Sequence, residues 1–209
     1  DYVAGDDGSD ILTGGTGDDV VTGGAGNDYA QGNEGNDNVY GDAGNDTLEG
    51  NDGNDFVSGG LGNDVASGGA GNDTIWGGDA VNDIDSLFGE DGDDVILLDL
   101  VDTTVDGGAG TDTLYTRYVN TDLTTSTVVL NDFEVIDLSA NASNVGNSLV
   151  LNDTAIRNLS AANTLRIDGE VGDSVLLKTE GAITWTQTAG LQSIYNGSYK
   201  LFTSSTGTT

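Results

Sequence analysis

Aspartates recur at a spacing of nine residues through the first part of this 209-residue chain. In a frame that begins at Gly5, position six of eight successive nonapeptides is always Asp, at Asp10, Asp19, Asp28, Asp37, Asp46, Asp55, Asp64 and Asp73. Carboxylates stacked at a strand spacing of roughly 4.8 Å repel each other unless a counter-charge neutralises them. Because no Lys or Arg occurs between Asp1 and Tyr115, the pattern indicates coordination of a hard cation by oxygen ligands.

The other positions of the repeat predict the elements that hold these carboxylates. Positions one and four are always Gly, and position two is only Gly, Asn or Asp, the residues that best tolerate positive φ. Position eight is always apolar, at Leu12, Val21, Ala30, Val39, Leu48, Val57, Ala66 and Ile75. Six turn-forming residues followed by three strand-like residues predict a short strand with one inward side chain. Nine residues are too few to circle a core, so two repeats should form one coil of a two-faced parallel solenoid.

Three later repeats keep the aspartate at position six, at Asp85, Asp94 and Asp112. The first of them stays in frame only if three residues bulge out of the segment 77–88. In the repeat 98–106, Thr103 replaces the aspartate, so we expect the cation site there to be weak or lost. The first four residues complete an earlier repeat, and we expect the array to continue upstream.

Composition excludes several classes of protein. The chain has 36 acidic and 5 basic residues, a formal net charge of -31, and no Cys, His, Pro or Met. Without Cys and His there is no disulfide, no tetrahedral zinc site and no Ser-His triad. An acidic chain repels nucleic acid, and no apolar run is long enough for membrane insertion. The repeat accounts for nearly every Asp of the first half, and no acidic pair stands out in the second, so we expect no enzyme activity.

Calcium suits this pattern better than magnesium does. Calcium takes six to eight oxygen ligands, including the backbone carbonyls that Gly-rich turns leave unhindered, whereas magnesium prefers a tight octahedron with retained waters. The alternative is disorder, which acidic Gly-rich sequence typically favours but which leaves the apolar residue at position eight unexplained. Both interpretations hold if the segment is disordered without the cation and folds with it. The chain has no complete EF-hand loop.

Several nonapeptides carry a family resemblance, among them GGTGDDVVT (14–22), GGAGNDYAQ (23–31) and GGLGNDVAS (59–67). They resemble the GGxGxDxUx repeats of RTX (repeats-in-toxin) proteins, and the resemblance covers residues 1–115. It implies an all-β parallel β-roll in which each calcium lies between turns two repeats apart, held by two position-six Asp side chains and by turn carbonyls. Here it implies the pairs Asp10–Asp28, Asp19–Asp37, Asp28–Asp46, Asp37–Asp55, Asp46–Asp64 and Asp55–Asp73. It also implies turn ligands at Gly14, Gly23, Gly32, Gly41, Gly50, Gly59 and Gly68, with about eight calcium ions in all.

Residues 116–209 follow a different pattern, which predicts a domain boundary after Tyr115. This part holds all five basic residues and only 7 of the 34 glycines. Strand patterns occupy 126–139, 147–153, 163–169, 173–178 and 182–188, with a hairpin at 193–203 and a short helix at 152–160. We expect a β-rich domain that caps the last coil, because an exposed solenoid end invites aggregation. The acidic turn 168–173 is either another calcium loop or, as we favour, a tight turn.

Two segments of this second part, 133–153 and 163–177, are similar to the C-terminal region of very large bacterial RTX adhesins. The resemblance implies export by a type I secretion system that recognises an uncleaved C-terminal signal. It also implies a secreted protein at the bacterial surface that serves cell adhesion and biofilm formation. The expected partner is then the secretion machinery, and the chain itself should be a monomer.

Two functions remain open at this point. In the first, the chain is a non-catalytic module that stays unfolded in the cell, folds on binding calcium outside, and so supports secretion of the adhesin. In the second, it is a carbohydrate-binding or stabilising module of an extracellular enzyme. Tyr29, Phe56 and Trp76 lie at outward positions and would stack on neutral sugars, although such aromatics are also common on strand surfaces.

Overall fold

The computed structural model describes residues 1–78, 83–98, 101–116, 120–122, 129–137, 148–152, 166–168, 174–178, 191–196 and 199–204. Within these residues all the regular secondary structure is β, in three sheets. The part of the chain that is described contains no helix of the length and apolarity needed to cross a membrane.

The first sheet consists of nine strands, every one of them parallel to its neighbours. In spatial order they are β1 (Tyr2–Ala4), β3 (Val20–Ala25), β5 (Asn38–Ala43), β7 (Phe56–Leu61), β9 (Thr74–Trp76), β11 (Val95–Leu98), β13 (Thr113–Thr116), β16 (Val135–Asp137) and β18 (Arg166–Asp168).

The second sheet consists of seven parallel strands and receives the strands that the first sheet omits. They are β2 (Ile11–Thr16), β4 (Tyr29–Glu34), β6 (Thr47–Asp52), β8 (Val65–Ala70), β10 (Ser86–Asp91), β12 (Thr104–Asp106) and β15 (Val129–Asn131). Each strand therefore pairs with the strand two repeats further on, as Val21 does with Val39 and Ala30 with Leu48. This alternation confirms the parallel β-roll with two repeats to a coil.

The core of the roll is the set of position-eight side chains. From Val21 to Leu114 each of them is fully buried. The first sheet supplies Val, Ile and, at Leu114, Leu, whereas the second alternates large and small residues, as in Ala30, Leu48 and Ala66. Bulky and small side chains in alternate rows allow close packing between facing layers.

The strands are longer than the three residues that the sequence predicted. Eight of the sixteen strands in the two parallel sheets run for six residues, through position three of the next repeat, as in β4 and β6. Position two adopts the positive φ that its residue types favour, 82° at Asn33 and 79° at Asn51, and these two residues remain paired across the sheet. The left-handed residue redirects the chain at the edge of the roll without ending the ladder, so the strand continues.

The extra residues between β9 and β10 do not break the register. Ser86 pairs with Val65 and Leu87 with Ala66, as in a regular repeat. Asp85 and Leu87 therefore return to positions six and eight, as predicted, while the predicted bulge falls on residues 79–82, which lie outside the described residues.

Pairing in the roll continues past residue 116. Where the sequence predicted one strand over 126–139, the structure has two, β15 in the second sheet and β16 in the first. Asp132, with φ of 50°, begins the short turn that carries the chain from one sheet to the other. The prediction of one unbroken strand was wrong because the alternating pattern of the sequence does not reveal this turn.

The third sheet contains β14 (Asn120–Asp122), β17 (Ser148–Asn152), β19 (Ser174–Lys178), β20 (Leu191–Asn196) and β21 (Tyr199–Ser204). The strands β20 and β21 pair antiparallel, which confirms the predicted hairpin. The predicted strand at 182–188, almost all of the predicted helix and the turn after Asp168 lie outside the described residues. The boundary after Tyr115 and the capping role remain predictions.

Candidate metal centre

The position-six aspartates form two columns, which we call the aspartate columns. One precedes the strands of the second sheet and contains Asp10, Asp28, Asp46, Asp64 and Asp85; the other precedes the strands of the first sheet and contains Asp19, Asp37, Asp55, Asp73, Asp94 and Asp112. All of them except Asp10 are buried, and Asp112 has no exposed surface. Buried carboxylates require a partner, because removing a charge from water is costly.

Hydrogen bonds join the members of each column. The backbone N–H of Asp19 donates to Oδ1 of Asp37 at 2.7 Å, and the same bond recurs at 2.7–2.8 Å in all six pairs that the family resemblance implied. It continues across the insertion, from Asp64 to Asp85 and from Asp73 to Asp94 at 2.8 Å, and from Asp94 to Asp112 at 2.9 Å. The predicted neighbours therefore lie side by side.

In ten of the eleven column aspartates the second carboxylate oxygen has no partner. The buried Oδ2 atom accepts no hydrogen bond in Asp10, Asp19, Asp28, Asp37, Asp46, Asp55, Asp64, Asp73, Asp94 and Asp112. Native structures rarely leave buried polar atoms unsatisfied, and a repeated exception calls for a ligand. A row of oxygens with free lone pairs and no donor nearby is what a cation binds.

The position-one glycines open the space into which these oxygens project. A Cβ atom placed on Gly14 would lie 2.8 Å from Asp19 Oδ2 and 2.8 Å from the carbonyl oxygen of Gly32. Equivalent contacts bring a carboxylate and a carbonyl together at Gly5, Gly23, Gly32, Gly41, Gly50, Gly59 and Gly89, with carbonyls from Gly23, Gly41, Gly50, Gly59, Gly68, Gly77 and Gly107. Only glycine leaves this space open for a bound ion.

The ligand set consists of oxygens alone. Within the described residues no three acidic side chains form a group that could hold a metal, so each candidate site combines two carboxylates with backbone carbonyls. Calcium accepts such mixed sets with flexible geometry, whereas magnesium demands a near-ideal octahedron. The residues present therefore fit calcium, which when bound would supply the positive charge that the columns lack.

Burial disturbs the ionisation of the columns. It raises the pKa of Asp64 and of Asp73 to about 7 each, with further increases from neighbouring carboxylates such as Asp85 and Asp94, while backbone hydrogen bonds lower both. Desolvation likewise raises the pKa to about 6 in Asp46, Asp55, Asp94 and Asp112, and raises the pKa of Asp37. The fold thus holds carboxylates that resist ionising unless a positive charge is supplied.

The repeat that carries Thr103 still places a carboxylate in the column. Thr103 occupies position six by backbone register, since the next residue, Thr104, pairs with Ser86 at position seven. Asp102, one residue earlier and only 1% exposed, accepts the bond from the backbone N–H of Asp85 at 3.3 Å. A carboxylate of the neighbouring residue therefore lies where Thr103 lacks one, and the weak or lost cation site expected at this repeat stays a prediction.

A second residue was also missed. Glu134 Oε2 accepts a hydrogen bond from the backbone N–H of Asp112 at 3.1 Å, in the place where the next position-six Asp would stand. Glu134 was hard to predict because the glycines of the repeat are missing from this turn. The one available signal was the acidic residue directly before the apolar alternation of Val135–Asp137.

The three outward aromatics do not share one surface. Tyr29 belongs to the second sheet, whereas Phe56 and Trp76 belong to the first. The ring of Phe56 contacts that of Tyr40, with centroids 5.7 Å apart. A stacking surface composed of Tyr29, Phe56 and Trp76 together is therefore excluded.

A parallel β-roll with buried carboxylate columns and converging turn carbonyls defines a calcium-binding structural module. Comparison with protein-family models agrees: the RTX calcium-binding nonapeptide repeat (4 copies) matches at residues 1–30, 31–66, 58–86, 80–100 and 102–117. These matches span more than half of the chain, which belongs to the RTX calcium-binding repeat family. No curated protein matches the chain.

Proposed function

We propose that the chain is a folding switch for secretion: unfolded at the calcium level of the cytosol, and folded by calcium outside the cell. The observation that carries this proposal is the repeated orphan Oδ2 of the aspartate columns. A formal charge of -31 opposes compaction. A cation that binds only the folded roll stabilises it by mass action, so binding and folding become one event.

The adhesin setting is part of the same proposal. The second half of the chain resembles the C-terminal region of large RTX adhesins, and an unfolded polyanion suits passage through a type I export channel. The module then contributes no catalysis. It gives a surface protein a stable end once that end has left the cell, and its partner during export is the secretion machinery.

Small-angle X-ray scattering at two buffered calcium levels tests the switch. At about 10⁻⁷ M free calcium, below the range of extracellular calcium modules, an unfolded chain of this length should have a radius of gyration of about 50 Å. At about 10⁻³ M the radius should fall to less than half of that value. A compact chain at both levels, or an expanded chain at both, would refute the switch.

Export has its own test. Residues 1–209 are placed upstream of a complete type I secretion signal, and passage into the medium is followed with and without calcium there. We expect passage in both media and protease resistance only where calcium is present. Retention in the cell would remove the secretion role and leave the calcium switch standing.

A carbohydrate-binding role is the second candidate, and one surface favours it. At positions seven and nine of the first sheet, from Tyr2 to Tyr115, no residue is charged, although the surrounding chain is strongly acidic. Tyr40, Trp76 and Tyr115 share one column on alternate strands, about 9.6 Å apart at two strand spacings. This distance is comparable with a disaccharide unit of an extended polysaccharide, and aromatic faces stack on apolar faces of neutral ligands.

Retention on insoluble cellulose, a neutral polysaccharide, tests this candidate in calcium. Trp76→Ala should abolish saturable retention, while Phe88→Ala on the second sheet should leave it unchanged. Equal retention of both variants, or none by the parent chain, would eliminate the role.

A further inference from the structure

The column that precedes the first sheet does not end with the nonapeptides. Its last aspartate, Asp112, has no exposed surface, and its Oδ2 atom accepts no hydrogen bond. The next coil is built by residues 129–137, which lie beyond the segment matched by the RTX family. A partner for the Oδ2 atom of Asp112 must therefore lie between Asp112 and this coil.

The coil supplies the same kinds of atoms as a regular repeat. Gly107 stands at position one, and a Cβ placed there would contact the carbonyl oxygen of Asp132 and lie 2.7 Å from Asp112 Cβ and 3.0 Å from its Cγ. Gly89 presents the corresponding space between Asp94 Oδ2 and the carbonyl of Gly107. The open space, the carbonyl and the orphan carboxylate thus recur one coil later.

Glu134 replaces the aspartate because the turn is shorter. In a regular repeat, positions one to six connect position nine to the next position seven, but here only Asp132, Phe133 and Glu134 lie between the residues at those positions, Asn131 and Val135. Phe133 is fully buried and fills space within the coil. The longer side chain of Glu134 reaches the backbone N–H of Asp112 at 3.1 Å, as Asp112 reaches Asp94.

We propose that Asp112, Glu134 and the carbonyl of Asp132 form an additional calcium site, which joins the coil at 129–137 to the repeat array. The site rests on the proposed calcium loading of the roll and adds a consequence to it. Calcium would then order a segment that carries no nonapeptide, so that folding passes from the repeats into the second half of the chain.

Glu134→Gln in the full chain tests this site, with bound calcium counted by native mass spectrometry and hydrogen exchange followed by segment. Gln retains an oxygen that can accept from Asp112 N–H, so the variant removes the charge and little else. Glu34→Gln, at an exposed position of the array, is the matched control. Asp55→Asn is the positive control for a site within the repeats.

We expect Glu134→Gln to bind one calcium fewer than the parent chain and to lose calcium-dependent protection in residues 129–137 while residues 20–76 keep theirs. Glu34→Gln should bind the parent number of ions. An unchanged ion count with unchanged protection at 129–137 would overturn the site, and so would loss of protection throughout the array. If the parent chain binds no calcium, the proposed function fails first, and Asp55→Asn then shows no loss either.

Discussion

The backbone N–H of Asp37 donates to Oδ1 of Asp55, eighteen residues further along the chain, at 2.7 Å. One oxygen of Asp55 thereby fixes the register of two coils, while its other oxygen, Oδ2, is buried without a partner. Each aspartate of the column divides its two oxygens in this way. The same side chain therefore positions the backbone and offers a ligand atom.

Replacing Asp55 by Asn should separate these two roles. The amide can still accept from Asp37 N–H, but it can no longer place two charged oxygens against a cation. We expect the calcium midpoint of folding to rise about tenfold, equivalent to about 1.4 kcal/mol. Asp52→Asn, at an exposed position of the same repeat, is the control and should shift the midpoint little. Circular dichroism titrations measure both midpoints. Equal shifts in the two variants would show that net charge, and not coordination by Asp55, determines the calcium midpoint.

Acidification should partly replace calcium. The pKa values of about 6 to 7 in the aspartate columns exceed the unfolded value of 3.8, so the folded state binds more protons. This contribution to stability is fully present below the unfolded pKa and is lost as pH rises through 6 to 7. In chelator, β signal should therefore increase as pH falls from 8 to 5.

The calcium-bound protein should respond to pH in the opposite direction. Because protons and calcium compete for the same oxygens, the calcium midpoint should rise as pH falls below 7. Calcium affinity that is constant between pH 8 and pH 5.5 would contradict the assignment of the columns as ligands.

The glycine at position four of the repeat should be the least replaceable. Gly53, at position four, has φ of 141°, and a Cβ there would overlap the carbonyl of Gly35. Gly53→Ala should lower the free energy of unfolding by at least about 1–3 kcal/mol. Gly15→Asn is the matched change at position two, where an added Cβ would meet no atom within 4 Å and where Asn33 and Asn51 adopt φ near 80°, and it should lower the free energy of unfolding little. Thermal unfolding in saturating calcium compares the two, and equal losses would refute the distinction.

The core column should be sensitive to truncation and to overpacking. Leu48 is fully buried between Ala30 and Ala66 in the second sheet. Leu48→Ala should therefore leave a cavity and lower the free energy of unfolding by about 2–5 kcal/mol, whereas Ala66→Leu should cost about 1–3 kcal/mol through overpacking. Urea denaturation in saturating calcium measures both. Stability within 0.5 kcal/mol of the parent, an ordinary surface effect, would show that the alternation is not needed.

The regular repeats could be predicted from sequence because each position of the nonapeptide has one structural role. The nine-residue period determines the two sheets, the inward row from Val21 to Ile75 and the neighbours in each column. Position five was less transparent: Asn27 Oδ1 accepts from the backbone N–H of Asn45 at 2.9 Å, forming an outer ladder that composition cannot distinguish from turn preference.

The departures could not be predicted because they depend on compensation in space. Asp102 takes over from Thr103 only through a local turn of the backbone, and Glu134 takes over only because its turn is three residues shorter. Neither adjustment leaves a periodic mark in the sequence. The later strands likewise carry alternation without the glycines that reveal a coil.

The most direct test of the account is a calcium titration of the chelator-treated chain at pH 8, followed by far-UV circular dichroism with magnesium as the control. If calcium folds the roll, the signal should be disordered without metal, change cooperatively to β signal with calcium, and show no such change with magnesium at the same concentration. A β-roll that is already formed in chelator at that pH, or a chain that stays disordered in excess calcium, would contradict it.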